Sequence, residues 1–160
     1  MIPQIRKILF CTQMGPSSGL ILRHACSIAR CHDAKITVLH VHSVITDTQE
    51  GVVESYVGKG KLHDAVAHDE VQEAETLHGI IEEFFSREIG AEAWREVVGE
   101  VVIAKGRARE QILKHIEEVN ADIVVMGGHR RGLMDMLLGS TTQQVIERSK
   151  VPVLVVPVPS

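Results

Sequence analysis

The stretch from Ile123 to Ser149, Ile-Val-Val-Met-Gly-Gly-His-Arg-Arg-Gly-Leu-Met-Asp-Met-Leu-Leu-Gly-Ser-Thr-Thr-Gln-Gln-Val-Ile-Glu-Arg-Ser, decides how this chain is read. Its apolar run ending at Met126 predicts a buried strand. A glycine-rich basic loop follows, and the Gly139-Ser140-Thr141 step opens a helix. That order sets free backbone N–H groups and positive charge together at the end of a strand. A phosphate is stabilised there by unpaired donors and by the positive end of the helix dipole. An ordinary strand–loop–helix connection, with glycines serving the turns, has the same pattern. Physics alone leaves both readings open.

Outward from this stretch the chain alternates strands and helices. Ile5 to Cys11 reads as the first strand, and Gly15-Pro16-Ser17-Ser18 as a turn and helix start. Ile21, Ala25, Ile28 and Ala29 then recur at helical spacing. Ala34 to His42 is a second strand, rich in β-branched residues. From Ser43 to Lys61 the pattern breaks up around Gly51, Gly58 and Gly60, and a long loop in a compact domain is expected to be functional or mobile. Leu62 to Gly90 is acidic and helical, with Leu77, Ile81, Phe84 and Phe85 on a buried stripe. Val97 to Ala104 follows as a third strand. Arg107 to Val119 is a helix with Ile112, Leu113, Ile116 and Val119 on one face. Ala121 to Met126, Thr141 to Ser149 and Val151 to Val158 complete the chain as strand, helix and strand. Such alternation implies parallel βαβ units with right-handed crossovers. Ligands in open sheets of this kind bind beyond the carboxyl ends of the strands, where chain order reverses.

Composition agrees. A chain of 160 residues is expected to form a single domain, 1–160, with a substantial core. Aromatic residues make up only 3%, so Val, Ile, Leu and Ala must build that core, as suits a parallel sheet covered on both faces. A net charge of −4 argues against a nucleic-acid partner. No apolar run approaches a membrane span and the N-terminus lacks a signal-peptide pattern, so a cytoplasmic location is expected.

The chain resembles the universal stress protein family. The resemblance is carried by Gly127, the Leu137-Leu138-Gly139-Ser140 run and the ending Ser149-Lys-Val-Pro-Val-Leu-Val-Val-Pro157. Lys7-Ile-Leu-Phe10, Val38-Leu-His-Val41 and Ala121-Asp-Ile-Val-Val-Met-Gly127 extend it over nearly the whole chain. It implies an open parallel five-stranded α/β sheet, order 3-2-1-4-5, helices on both faces, of the adenine nucleotide alpha hydrolase-like type. The reversal then lies between strands one and four, where Cys11-Thr12-Gln13 would face Gly127-Gly128-His129.

The resemblance also implies a ligand, ATP or a related adenine nucleotide, with magnesium as a possible companion. Family roles carry onto Gln13 beside the nucleotide, Val41 against adenine through its backbone, and Gly127, Gly139, Ser140, Thr141 and Thr142 around ribose and phosphates. Thr12, Met126 and His129 join them as crevice residues. Two departures stand out. Gln13 replaces an aspartate, and Arg130 replaces the second loop glycine, with only eight residues between it and Gly139, one fewer than the family spacing. Arg130 and Arg131 offer planar forks that match phosphate oxygens, or else form a solvated loop tip. Ser140 with Gln143 also has the spacing of a capping box, a role that needs no ligand.

Other chemistry is weaker. His40 and His42 share a strand face, and His63, Asp64, His68 and Asp69 gather near a helix start, yet no third ligand with motif spacing follows. Cys11, Cys26 and Cys31 have no CxxC spacing and read as structural thiols. The crevice candidates include no carboxylate except the distant Asp135, so a binding module is favoured over an enzyme, with slow ATP hydrolysis the weaker alternative. The final strand, Val151 to Val158, should be an edge, since its prolines cannot donate into a central ladder. In the family that edge pairs with a second copy, and a homodimer is expected here. The expected role is regulatory: the ligand orders the 127–139 loop and alters a surface read by an unknown protein partner. A nucleotide-free dimeric interaction module is the alternative.

Overall fold

In the computed structural model, the described residues are 1–42, 61–129 and 139–158. They form one five-stranded parallel sheet of order β3-β2-β1-β4-β5, as expected. The strands are β1 (Lys7–Thr12), β2 (Lys35–His42), β3 (Val98–Lys105), β4 (Ile123–His129) and β5 (Val153–Val158). Between them run α1 (Ser18–His32), α2 (Lys61–Ile89), α3 (Ala91–Val97), α4 (Ala108–Glu118) and α5 (Ser140–Arg148).

Alternate residues of each central strand feed two separate cores, as a period of two requires. Ile8, Phe10, Ile36 and Val38 pack under α1, α2 and α3, with Leu22, Ile81, Phe85 and Trp94. Leu9, Cys11, Leu39 and Val124 pack on the other face with Ile112, Ile116 and Val145 of α4 and α5. Burial on both faces explains why β1 reads as a continuous apolar run. The few aromatics are concentrated on the first face: Phe10 meets Phe85 edge-on at 5.4 Å, and Phe85 stacks on Trp94 at 6.5 Å. Of the stripe expected on α2, Ile81 and Phe85 are buried, Leu77 is half-buried and Phe84 is exposed.

Helix ends are set by local chemistry. Asp33 and Asn120 adopt left-handed conformations, φ 52° and 51°, where α1 and α4 stop. Gly90, at φ 88°, separates α2 from α3. Helix α3 was not expected, because its seven residues are too few to show a helical period and Val97 reads equally well as the start of β3. The expected loop 43–61 lies outside the described residues, except Lys61, which opens α2.

The junction of β1 with β4 is tied at its amino end. Asp122 accepts backbone N–H bonds from Arg6 and Lys7, at 2.8 and 2.9 Å through one oxygen, while its own N–H donates to the Lys7 carbonyl at 2.8 Å. This clamp fixes the register at one end of the two strands whose other ends open into the cleft.

Candidate functional site

Chain order reverses between β1 and β4, and a cleft of about 290 Å³ lies at their carboxyl ends. Its walls come from segments far apart in sequence. The end of β1 and the following turn supply Cys11, Thr12 and Gln13, and the first turn of α1 supplies Ser17 and Ser18. Leu39 and Val41 of β2 with Ala108 and Ile112 of α4 make an apolar side. Met126 and Gly127 form the β4 floor, and Gly139, Ser140, Thr141 and Thr142 open α5. Thus Thr12, Gln13, Val41, Met126, Gly127, Gly139, Ser140, Thr141 and Thr142, all singled out from sequence, line a single cleft. His129 ends β4, with its side chain outside the described residues, as are Arg130, Arg131 and Asp135 in full.

Three helices, α1, α4 and α5, begin at this cleft, so their first-turn N–H groups and positive dipole ends face the same volume. The described lining otherwise has no charged side chain. Its one titratable group is Cys11, whose thiol burial pushes up to about 12. The arrangement therefore offers hydrogen-bond donors and apolar walls. No acid–base pair stands among the described lining residues.

The polar residues divide by what already occupies them. Thr142 donates its hydroxyl to the Gly127 carbonyl at 3.3 Å, tying α5 to β4. Thr12 donates to Ser18 Oγ at 3.1 Å and accepts the Met14 N–H at 3.0 Å. Gln13 is exposed, and its side chain bonds to no other described residue, nor do the hydroxyls of Ser140 and Thr141. With the Ser17 hydroxyl, which also lines the cleft and caps no helix, these are the side chains available to a ligand.

The capping box expected from Ser140 and Gln143 does not form. Gly139 is the N-cap, which places Ser140 one position inside the helix, where its hydroxyl cannot serve the first turn. The Gln143 side chain instead bonds Glu147 at 3.0 Å. On the strand face that His40 shares with His42, the His40 ring bonds the Thr12 carbonyl at 3.0 Å, a contact with no signature in the sequence. Among the described residues no cluster of three or more His, Cys, Asp or Glu side chains has the disposition to hold a metal ion. The acidic cluster His63, Asp64, His68 and Asp69 has side chains outside the described set. None of the described helices is long and apolar enough to cross a membrane.

An open parallel sheet with a ligand-sized cleft at its switch point defines a doubly wound α/β protein of the nucleotide-binding type of architecture. The sequence profile of the universal stress protein family matches residues 4–157, and the chain belongs to that family. Universal stress protein MJ0577 of Methanocaldococcus jannaschii is 29% identical over 155 residues, covering 94% of each chain. A solved structure of MJ0577 superposes with a TM-score of 0.68 at 26% identity over 99% of both chains. The fold is shared with UspA of Lactobacillus plantarum, at a TM-score of 0.64 and 20% identity over 97% of this chain and 99% of that one. It is shared too with a universal stress protein solved in complex with cAMP, at 0.56 and 20% over 97% and 98%.

Proposed function

We propose that this protein is a regulatory module that binds an adenine nucleotide, of the ATP or AMP type, in the β1/β4 cleft. One observation carries the reading. Residues from four separate segments, each chosen from sequence as a nucleotide contact, converge on a single cleft of about 290 Å³ at the switch point. The volume lies at the lower edge of small-molecule sites, which run from about 300 Å³ upward. The cAMP bound to a family member of the same fold supports the ligand class.

The residues present fit such a group. Among the described residues no atom stands within 4 Å of a Cβ added at Gly139, at the start of α5. Leu39, Val41, Ile112 and Met126 offer apolar surface suited to a flat base, and Ser140, Thr141 and Gln13 offer uncommitted hydrogen-bonding groups to ribose and phosphate. The α5 N-terminus stabilises negative charge without a positive side chain. Occupancy of the cleft is then the signal, read by a protein partner.

Titration calorimetry of the nucleotide-stripped protein with ATP and magnesium tests this. Micromolar binding that a Gly139→Leu substitution abolishes supports the reading. No heat up to millimolar ATP or AMP sinks it.

A second reading, a nucleotide-free interaction module, is favoured by the neutral Gln13 at the end of β1. In either case we propose a homodimer through β5. This strand is at the sheet edge, paired only with β4, and leaves Val153, Leu154 and Val155 half-buried. An apolar edge of this kind invites pairing. A monomeric mass by sedimentation at micromolar concentration would exclude the dimer.

A further inference from the structure

One wall of the cleft is held from behind by a residue that does not line it. Leu39 and Val41 of β2 face the cleft, so His40 points to the opposite face, toward the core that contains Ile36 and Val38. It is half-buried there, with Nδ1 3.0 Å from the Thr12 carbonyl. A carbonyl only accepts, so Nδ1 carries the proton. The bond fixes the plane of the Thr12–Gln13 peptide, because a peptide unit turns as a rigid body.

The same threonine is pinned through its side chain. Its hydroxyl accepts the Met14 N–H at 3.0 Å and donates to Ser18 Oγ at 3.1 Å. Met14 stands at φ 58°, a left-handed conformation uncommon for a residue other than glycine. Such a conformation persists where the surroundings over-determine it, a situation concentrated at ligand clamps. Here the determinants are the bonds at Thr12, and what they fix is the turn bearing Gln13, Gly15, Ser17 and Ser18 along the cleft.

From this geometry we infer that His40 is a positioning residue for the cleft: its ring holds the β1–α1 turn in the shape that presents Gln13 to the ligand. The inference rests on the nucleotide reading of the cleft. Losing the Nδ1–H donor frees the Thr12 peptide to rotate, and the turn then samples conformations that the ligand must reorder on binding. Affinity falls while the apolar core, which His40 does not complete, stays folded.

The experiment is ATP titration of the wild-type chain, His40→Leu and His40→Asn, with thermal denaturation of each and ¹⁵N spectra of the wild-type imidazole. Asparagine places an amide N–H near the Nδ1 position and restores the donor. We expect His40→Leu to weaken ATP at least fivefold, His40→Asn to stay within twofold of wild type, and the His40 ring resonances to move on saturation with ATP. A purely structural histidine would not report ligand in its ring. Wild-type affinity in a folded His40→Leu overturns the inference, as do ring resonances that ATP leaves unmoved. If His40→Leu does not fold, the ring resonances and His40→Asn decide. A wild-type chain that binds neither ATP nor AMP overturns the nucleotide reading itself, and this inference with it.

Discussion

The Cδ1 of Ile21 lies 2.6 Å from the point where a Cβ on Gly127 would stand, so any side chain at that place in β4 must push the end of Ile21 aside. A glycine at the mouth of a cleft invites a ligand explanation, and here packing against α1 bears on the position as well. Ile21 both fills the gap over Gly127 and lines the cleft, so the sheet floor and the helix wall meet at that contact. Gly127→Ala should therefore overpack the junction and destabilise the fold by about 1–3 kcal/mol. Ile21→Val shortens the opposing side chain and should return part of that loss in the double variant. Urea unfolding of the two single variants and the double completes a cycle. Strict additivity would show that the contact is not the cause.

The fold was legible because β1, β2 and β4 are buried on both faces and carry their signal as apolar runs. Most boundaries moved by one or two residues, as they do where helices fray and strands begin. Strand β4, however, runs three residues past Met126, so Gly127 and Gly128, expected in the loop, belong to the strand. The site was legible in its residue list and less so in its roles. Sequence set Gly127 and Gly139 around the same ligand, whereas Gly127 lies in β4 against the end of Ile21 and no described atom stands within 4 Å of a Cβ added at Gly139. Ser140 and Gln143 have the spacing of a capping box, but register along the helix decides whether a hydroxyl reaches the first turn. The bond from His40 to Thr12 spans 28 positions in sequence, and no local pattern encodes a contact of that range.

Gly139→Leu should separate binding from folding. At φ −55° the position imposes no left-handed strain, and no described atom stands within 4 Å of an added Cβ. The fold should lose no more than about 1 kcal/mol, from the poorer N-cap. The branched side chain would project into the cleft beside Ser140, and ATP affinity should fall by more than about tenfold, or 1.4 kcal/mol. A leucine variant with wild-type affinity would move the ligand elsewhere.

Asp122→Ala tests the clamp at the amino end of the β1/β4 junction. It leaves the backbone N–H groups of Arg6 and Lys7 without the oxygen they share. The site is partly exposed, so water can replace some of the bonding, and a loss of about 1–3 kcal/mol is expected. Asp122→Asn keeps an acceptor oxygen without the charge and should fall between wild type and alanine. Chemical denaturation of the three proteins checks the order. If alanine and asparagine cost the same, the charge and not the acceptor carries the clamp.

The two buried thiols should make the fold sensitive to alkali. Burial pushes Cys26 up to about 11 and Cys11 to about 12, from an ordinary value of 9. Above pH 9 the unfolded chain releases these protons while the native chain retains them, so the native state binds more protons and stability falls as pH rises. Below about pH 8 neither thiol ionises appreciably in either state, and they contribute almost no slope. The loss should begin near pH 9 and continue toward pH 11 for Cys26 and pH 12 for Cys11, at up to about 1.4 kcal/mol per pH unit for each thiol. Cys26→Ala removes one of the two and should flatten the profile relative to wild type, which cancels the titration of lysines and tyrosine common to both. Urea midpoints at pH 8, 9, 10 and 11 provide the comparison. Parallel profiles would mean that Cys26 ionises as readily in the native chain as in the unfolded one. At neutral pH the same burial predicts an order of labelling by a thiol reagent: Cys31, which is exposed, reacts first, and Cys11 reacts slowest. Because Cys11 lines the cleft, saturating ATP should slow its labelling further and leave Cys31 unaffected.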